Sequence, residues 1–351
     1  MGLSRRERIA LGAIAVATIA AAVAHYAGAG AVLAFVIAAV ALAGQAWIVS
    51  FSTEQVGERL GPATTSVLQT TLGNLPELFV VIFALQKGEV VVAQTSIIGS
   101  LLANALLVLG LVIIVGARRS EGGIMKFGKR LPNDTATLLL VTIFVIVVVA
   151  VALSSHDAAG RHVQGISTAA AIALLVVYGA WVIPYIRSGG GEGHTATTPR
   201  VPAAVAGTML AVAGVGAALT SDWFIAALRP AIDQLGISEA FAGLVIVAIA
   251  GNAVENAVGI VLALKGENDF AVSVVKNSVS QIAAFLWPVL ILVSLAFTTT
   301  LTFALAPVYV VALALTAILV WQVTGDGEAA EFEGWALIAV YAILAVITLY
   351  E

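Results

Sequence analysis

Apolar runs long enough to cross a bilayer follow one another along almost the whole chain, and no other feature restricts its folds as strongly. A span needs about 20 apolar residues, and in lipid a backbone must satisfy its own hydrogen bonds, so such runs form helices. Loop signals divide the runs into eleven expected spans, over residues 8–26, 30–51, 60–86, 89–116, 134–154, 164–186, 201–228, 238–264, 268–296, 302–322 and 334–350. The composition agrees. Apolar residues make up 61% of the chain and charged ones 10%, against roughly 25% charged in soluble domains. The expectation is an all-α polytopic membrane protein, one integral domain over residues 1–351. The bilayer is its surroundings, and the net charge of −4, spread over loops, calls for no nucleic acid. With no cysteine, disulfides, thiolate metal sites and thiol redox chemistry are excluded.

The N-terminus carries Arg5, Arg6 and Arg8 ahead of an apolar run ending near Tyr26, with Ala22-Val23-Ala24 placed like a cleavage site. A retained first helix is expected, because it gives a consistent topology. With the N-terminus cytoplasmic, the inside segments hold twelve basic residues: Arg5, Arg6, Arg8, Arg59, Arg118, Arg119, Lys126, Lys129, Arg130, Arg187, Arg200 and Lys265. The outside loops hold three, Lys87, Arg161 and Arg229. That bias places the N-terminus in the cytoplasm and the C-terminus outside, in a plasma membrane or cell inner membrane.

Two segments 178 residues apart repeat one pattern inside these spans: a glycine-asparagine pair, a glutamate, a Lys-Gly-Glu turn and a serine. They match at Gly73/Gly251, Asn74/Asn252, Glu77/Glu255, Lys87/Lys265, Gly88/Gly266, Glu89/Glu267 and Ser100/Ser278. The first motif falls in span three and the second in span eight. An odd separation of five reverses the direction of travel, so two inverted five-helix repeats are expected after an N-terminal helix: residues 30–186 and 201–351, joined by a linker at 187–200. Glu77 lies ten residues before Lys87 and Ser100 thirteen after it, with the same intervals about Lys265. At 1.5 Å per residue both groups reach roughly 15–20 Å from the turn, near the middle of a core about 30 Å thick.

Carboxylates repeated at that depth mark a functional site. Gly-Asn before the glutamate makes a poor helix interior. Pro76 cannot donate to the Leu72 carbonyl, and Ala250 holds the matching place in the second motif. Free carbonyls at membrane depth are tolerated where they line a cavity, and they are hard cation ligands. The ligand set is therefore all oxygen: Glu77, Glu255, Asn74, Asn252, Ser100, Ser278 and the carbonyls of Leu72 and Ala250. Such a set suits Ca²⁺, with six to eight oxygens at about 2.3–2.6 Å, better than a soft transition metal. Ser96, Ser100 and Asn104 share one helical stripe, as do Ser278 and Gln281.

These residues resemble the Ca²⁺/H⁺ antiporter branch of the Ca²⁺:cation antiporter superfamily. Gly73, Asn74 and Glu77 are similar to its Gly-Asn-x-x-Glu signature, and Gln94, Ser96, Gly99 and Ser100 to its Gln-x-Ser-x-x-Gly-Ser run. Gly251, Asn252, Glu255, Ser278 and Gln281 carry the second copy. Ser52-Thr53-Glu54 and Thr220-Ser221-Asp222 are similar to the acidic pairs near its cation entrances. The chain departs from many eukaryotic members at Asn256 and Asn277, where they have histidine and glycine, and it keeps only Glu192 of the acidic segment between repeats. The resemblance is to a prokaryotic variant. It implies eleven spans, Ca²⁺ and H⁺ as substrates and no resident cofactor.

Blander readings compete residue by residue. Ser96 and Asn104 serve helix packing equally well, Gln94 faces away from Ser100, and Glu54 and Asp222 suit solvated span ends as well as cation mouths. Lys276, the one basic residue within a span, is expected to snorkel toward the cytoplasm. Glu89 and Glu267 open helices, where an acid complements the helix dipole. The function expected is a secondary antiporter exporting Ca²⁺ for protons, with both glutamates as cation ligands and proton carriers, and with helices one and six among the parts that move. Exchange of Na⁺ or another cation for Ca²⁺ is the alternative, and a Ca²⁺ channel a more distant one. No HExxH or paired catalytic aspartate supports an enzyme.

Overall fold

The computed structural model describes residues 2–57, 59–60, 62–128, 130–187 and 199–351, apart from the side chains of residues 62, 63, 66, 69, 70, 130, 131, 132 and 255. The linker expected at 187–200, with Glu192 and His194, falls mostly on 188–198 and lies outside the described residues, as do Lys129 and the Glu255 side chain.

Among the described residues thirteen helices follow in order: α1 Arg5–Tyr26, α2 Ala31–Gly57, α3 Pro62–Gly73, α4 Leu75–Gln86, α5 Val90–Arg119, α6 Arg130–Ser154, α7 Val163–Arg187, α8 Ala203–Leu235, α9 Glu239–Gly251, α10 Ala253–Lys265, α11 Asn268–Ser294, α12 Pro307–Thr324 and α13 Glu331–Leu349. Among the described residues nine are long and apolar enough to cross a membrane, and ten spans result if α9 and α10, bent by 56°, count as one. The apolar α4 is too short to span alone. Span three of the sequence reading is thus two helices, α3 and α4, meeting at Asn74.

The bundle is built around α5 and α11. Their apolar windows are 89% and 78% buried, while α1, α7 and α8 are buried over only 17%, 22% and 22%. Both central helices contain a π-helical segment, Ala103–Val108 in α5 and Ile282–Leu286 in α11, at matching places in the repeat. The turns before them also match. Gly88 and Gly266 take φ of +79° and +82°, and the Glu89 and Glu267 amides donate back to the Ala84 and Leu262 carbonyls at 2.8 and 3.0 Å. The left-handed conformation explains the glycine at each turn, since a Cβ there is strained.

Three sequence expectations change. The helix expected to end at 228 continues through Pro230 to Leu235, where Gly236 at φ +66° closes it. Asp222 therefore lies well inside α8 rather than at its end. The basic loop after α5 contains a short strand, β1 Ile124–Lys126, antiparallel to β2 Glu328–Ala330 before α13, in an otherwise helical chain. The Met125–Ala329 pair of this ribbon is buried beneath the end of α5, where a Cβ added to Gly116 would lie 2.5 Å from Met125 Sδ. Lys276 does not reach solvent. It is 4% exposed and its Nζ donates to Thr324 Oγ1 at 2.7 Å, at the end of α12.

Ion pairs collect at the two ends of the bundle. At one lie Glu7–Arg200 (2.9 Å), Arg118–Glu331 (2.6 Å) and Lys126–Glu328 (3.2 Å). At the other lie Lys87–Asp222 (2.7 Å) and Arg229 with Glu89 (3.3 Å) and Glu239. The 30-residue α5 joins these ends, from Glu89 to Arg118, a rise of about 45 Å.

Candidate cation site

Each motif builds the same local object, a helix that stops at an asparagine and restarts with a glutamate in its first turn. Asn74 (φ −81°, ψ 4°) separates α3 from α4, and Asn252 (φ −105°, ψ 13°) separates α9 from α10. Pro76 sits at the second position of α4, where a missing N–H costs no helical bond. Glu77 and Glu255 are both the third residue of the restarted helix. A helix N-terminus carries partial positive charge and favours an anion, while the C-terminus of the preceding helix presents carbonyls. Leu72 and Ala250 lie next to last in α3 and α9, so their carbonyls belong to those C-terminal ends. Each break thus sets the carbonyl end of one helix beside a glutamate position in the first turn of the next.

Asn74, Glu77, Ser96, Ser100, Asn104, Asn252, Ser278 and Gln281 are all buried. Asn252 Nδ2 donates to Ser100 Oγ at 2.8 Å and to the Ala248 carbonyl at 3.0 Å. The Ser100 hydroxyl of the first motif and the Asn252 amide of the second therefore touch, 152 residues apart in the chain. A Cβ added to Gly251 would lie 3.8 Å from Glu77 Cβ, which puts the first carboxylate residue beside the second break. Asn104 Nδ2 donates to the Ser100 carbonyl at 3.0 Å, just where the π segment begins, so Asn104 supports the serine from its own helix.

Close backbone packing makes this meeting possible. A Cβ on Gly99 would fall 2.2 Å from the Leu244 carbonyl oxygen, and one on Gly243 would fall 2.0 Å from Thr95 Oγ1. Helices α5 and α9 thus pack backbone to backbone at small residues, as membrane helices commonly do. Gly99 was visible in the sequence as part of a motif, but its partner across the interface was not.

The remaining candidates separate. Gln94 donates to the Ala304 carbonyl, in the segment before α12, at 3.4 Å, and Ser96 to the Ala93 carbonyl of its own helix at 3.0 Å. Gln281 is fully buried with neither amide atom hydrogen-bonded among the described residues. Asp222 is bound by Lys87, a contact between residues 135 positions apart that no local sequence pattern states. Glu54 is part-buried near the end of α2. Lys276 faces α12 rather than Ser278.

Residues 30–186 and 205–350 match the family described as sodium/calcium exchanger protein, which takes in both halves and leaves out α1. The chain belongs to the sodium/calcium exchanger protein family. Within it, the chain is 29% identical over 345 residues to a Ca²⁺/H⁺ antiporter of Synechocystis, covering 92% of each chain. It is 30% identical over 303 residues to the Ca²⁺/H⁺ antiporter ChaA of Bacillus subtilis, covering 84% of this chain and 86% of the relative. The native structure of YfkE superposes with a TM-score of 0.81 at 27% identity, over 96% of this chain and 98% of that one. Both helix breaks and the turns that follow them, thirteen residues on at Lys87 and Lys265, lie within the matched segments.

Proposed function

We propose that this protein is a secondary antiporter that moves Ca²⁺ out of the cytoplasm in exchange for protons, using one site formed where two inverted repeats meet near the bilayer midplane. The observation that carries this reading is the pair of matched helix breaks, each with a glutamate in its restarted first turn, in a chain whose relatives include Ca²⁺/H⁺ antiporters.

Glu77 and Glu255 supply the anionic charge, with Ser100, Ser278, Asn74, Asn252 and the Leu72 and Ala250 carbonyls as neutral oxygen ligands. Two carboxylates neutralise one Ca²⁺, and the same oxygens cannot hold protons and Ca²⁺ together. Each cargo therefore displaces the other, which is the coupling. Alternation requires outer elements to move against the buried core of α5 and α11. The outer elements are α1, α7, α13 and the first part of α8, whose apolar windows are 17–22% buried.

The test is ⁴⁵Ca²⁺ uptake into inverted membrane vesicles with a pH gradient and a Na⁺ gradient applied separately. Uptake driven by acid inside and indifferent to Na⁺ is expected. Uptake driven by Na⁺ alone would reassign the exchanged ion, and gradient-independent leak with single-channel currents would replace the antiporter by a channel.

A further inference from the structure

At the end of the molecule where α4 turns into α5, two basic contacts reach from the first repeat to the second. Lys87, in the turn, places Nζ 2.7 Å from Asp222 Oδ1 and donates to the Asp222 carbonyl at 3.0 Å. Two turns along α8, Arg229 Nη1 lies 3.3 Å from Glu89 Oε2 and also pairs with Glu239 at the start of α9. Deeper in, Ser221 Oγ, fully buried, donates to the Pro76 carbonyl at 3.4 Å. Pro76 immediately precedes Glu77. Helix α8 is thus laid along α4 from the residue before the candidate ligand to the turn at Lys87.

We propose that Lys87 and Asp222, reinforced by Arg229 and Glu89, form a latch that shuts this end of the cation pathway and opens when the site faces that side. The proposal deepens the alternating-access reading and rests on it. Three observations carry it. The latch joins α8 to the α4–α5 turn at the rim of a segment in which Ser221, Trp223, Phe224 and Ile225 are buried, so separating them uncovers the seam that leads through Ser221 to Pro76. Its side chains are 35% and 40% exposed, and an exposed pair is weak enough to be made and broken in every cycle. Lys265, the counterpart of Lys87 in the second repeat, is exposed and makes no ion pair among the described residues. The two matched lysines are therefore in different states, as two ends of an alternating transporter must be.

The chain has no native cysteine, so one introduced thiol reports on the seam. Ser221→Cys is labelled in membranes by an impermeant maleimide supplied on the Lys87 side, with Lys87 intact, with Lys87→Gln, and with Asp222→Asn as a second route to the same lesion. Labelling is expected to quicken roughly fivefold in both variants, the population shift that loss of an exposed ion pair gives; unchanged rates in both overturn the latch. A complementary measurement uses Lys87→Cys with Asp222→Cys, bridged by a bis-methanethiosulfonate about as long as a lysine side chain. Bridging should stop Ca²⁺/H⁺ exchange in proteoliposomes and dithiothreitol should restore it, whereas full exchange by the bridged protein also overturns the latch. A native protein that exchanges no Ca²⁺ for H⁺ contradicts the transport reading instead, and the labelling rates still decide the latch.

Discussion

Substituting Gly99 by alanine adds one methyl group where the two halves of the chain are closest. The new Cβ would stand 2.2 Å from the Leu244 carbonyl oxygen and 2.5 Å from Leu244 Cα, and neither backbone atom can rotate away. Ordinary van der Waals contact begins near 3.4 Å, so α5 and α9 must part by about 1.2 Å at this point. The Asn252–Ser100 hydrogen bond, 2.8 Å long and one residue from the new methyl, would stretch to about 4 Å, beyond any hydrogen bond. Overpacking costs about 1–3 kcal/mol and a broken buried hydrogen bond about 1–3 kcal/mol, so a loss of roughly 2–6 kcal/mol is expected. Thermal unfolding in detergent should shift down accordingly, and exchange in proteoliposomes should fall at least about tenfold, because misplacement by 1 Å at a site costs that much or more. Gly207→Ala is the control, since a Cβ there meets nothing within 4 Å. If Gly99→Ala melts and transports like Gly207→Ala, the backbone contact between α5 and α9 does not hold the site together.

Glu77→Gln and Glu255→Gln are each expected to abolish Ca²⁺ transport while leaving a folded protein, measured by flux and by size-exclusion profile; near-native flux from either removes the two-carboxylate site. Cysteines placed singly at Arg119 and Ala158 should be, respectively, protected from and labelled by an impermeant maleimide in intact cells, and the reverse pattern inverts the orientation. Lys276→Met should raise stability by about 1–3 kcal/mol with exchange unchanged, because a buried amine held by one hydroxyl is costly and points to α12; lost exchange would assign the amine a transport role. Transport should be electroneutral, two protons per Ca²⁺, so the Ca²⁺ reversal point at fixed ΔpH stays put as potential is varied with valinomycin. A third proton would make it respond by about 2.3 kcal/mol per 100 mV.

The sequence by itself determined the helical, membrane-spanning character, because about 20 apolar residues without charge have no other low-energy arrangement in lipid. It also determined where the helices break and which turns need glycine. Gly73-Asn74 and Gly251-Asn252 are local faults in helix propensity, and Gly88 and Gly266 answer a local demand for positive φ. Spacing along one helix sufficed for these. Contacts between helices were a different matter, since no local pattern states which residue faces which across an interface. The close approach of Gly99 to Leu244, the Ser100–Asn252 bond, the capture of Asp222 by Lys87 and the burial of Lys276 against Thr324 join residues at least 48 positions apart. Helix α8 shows the limit most directly. Arg229-Pro230 reads as a loop signal, yet the chain stays helical to Leu235, and Arg229 bonds to the acids Glu89 and Glu239 of neighbouring elements. A single proline removes one hydrogen bond, and tertiary packing outweighs it.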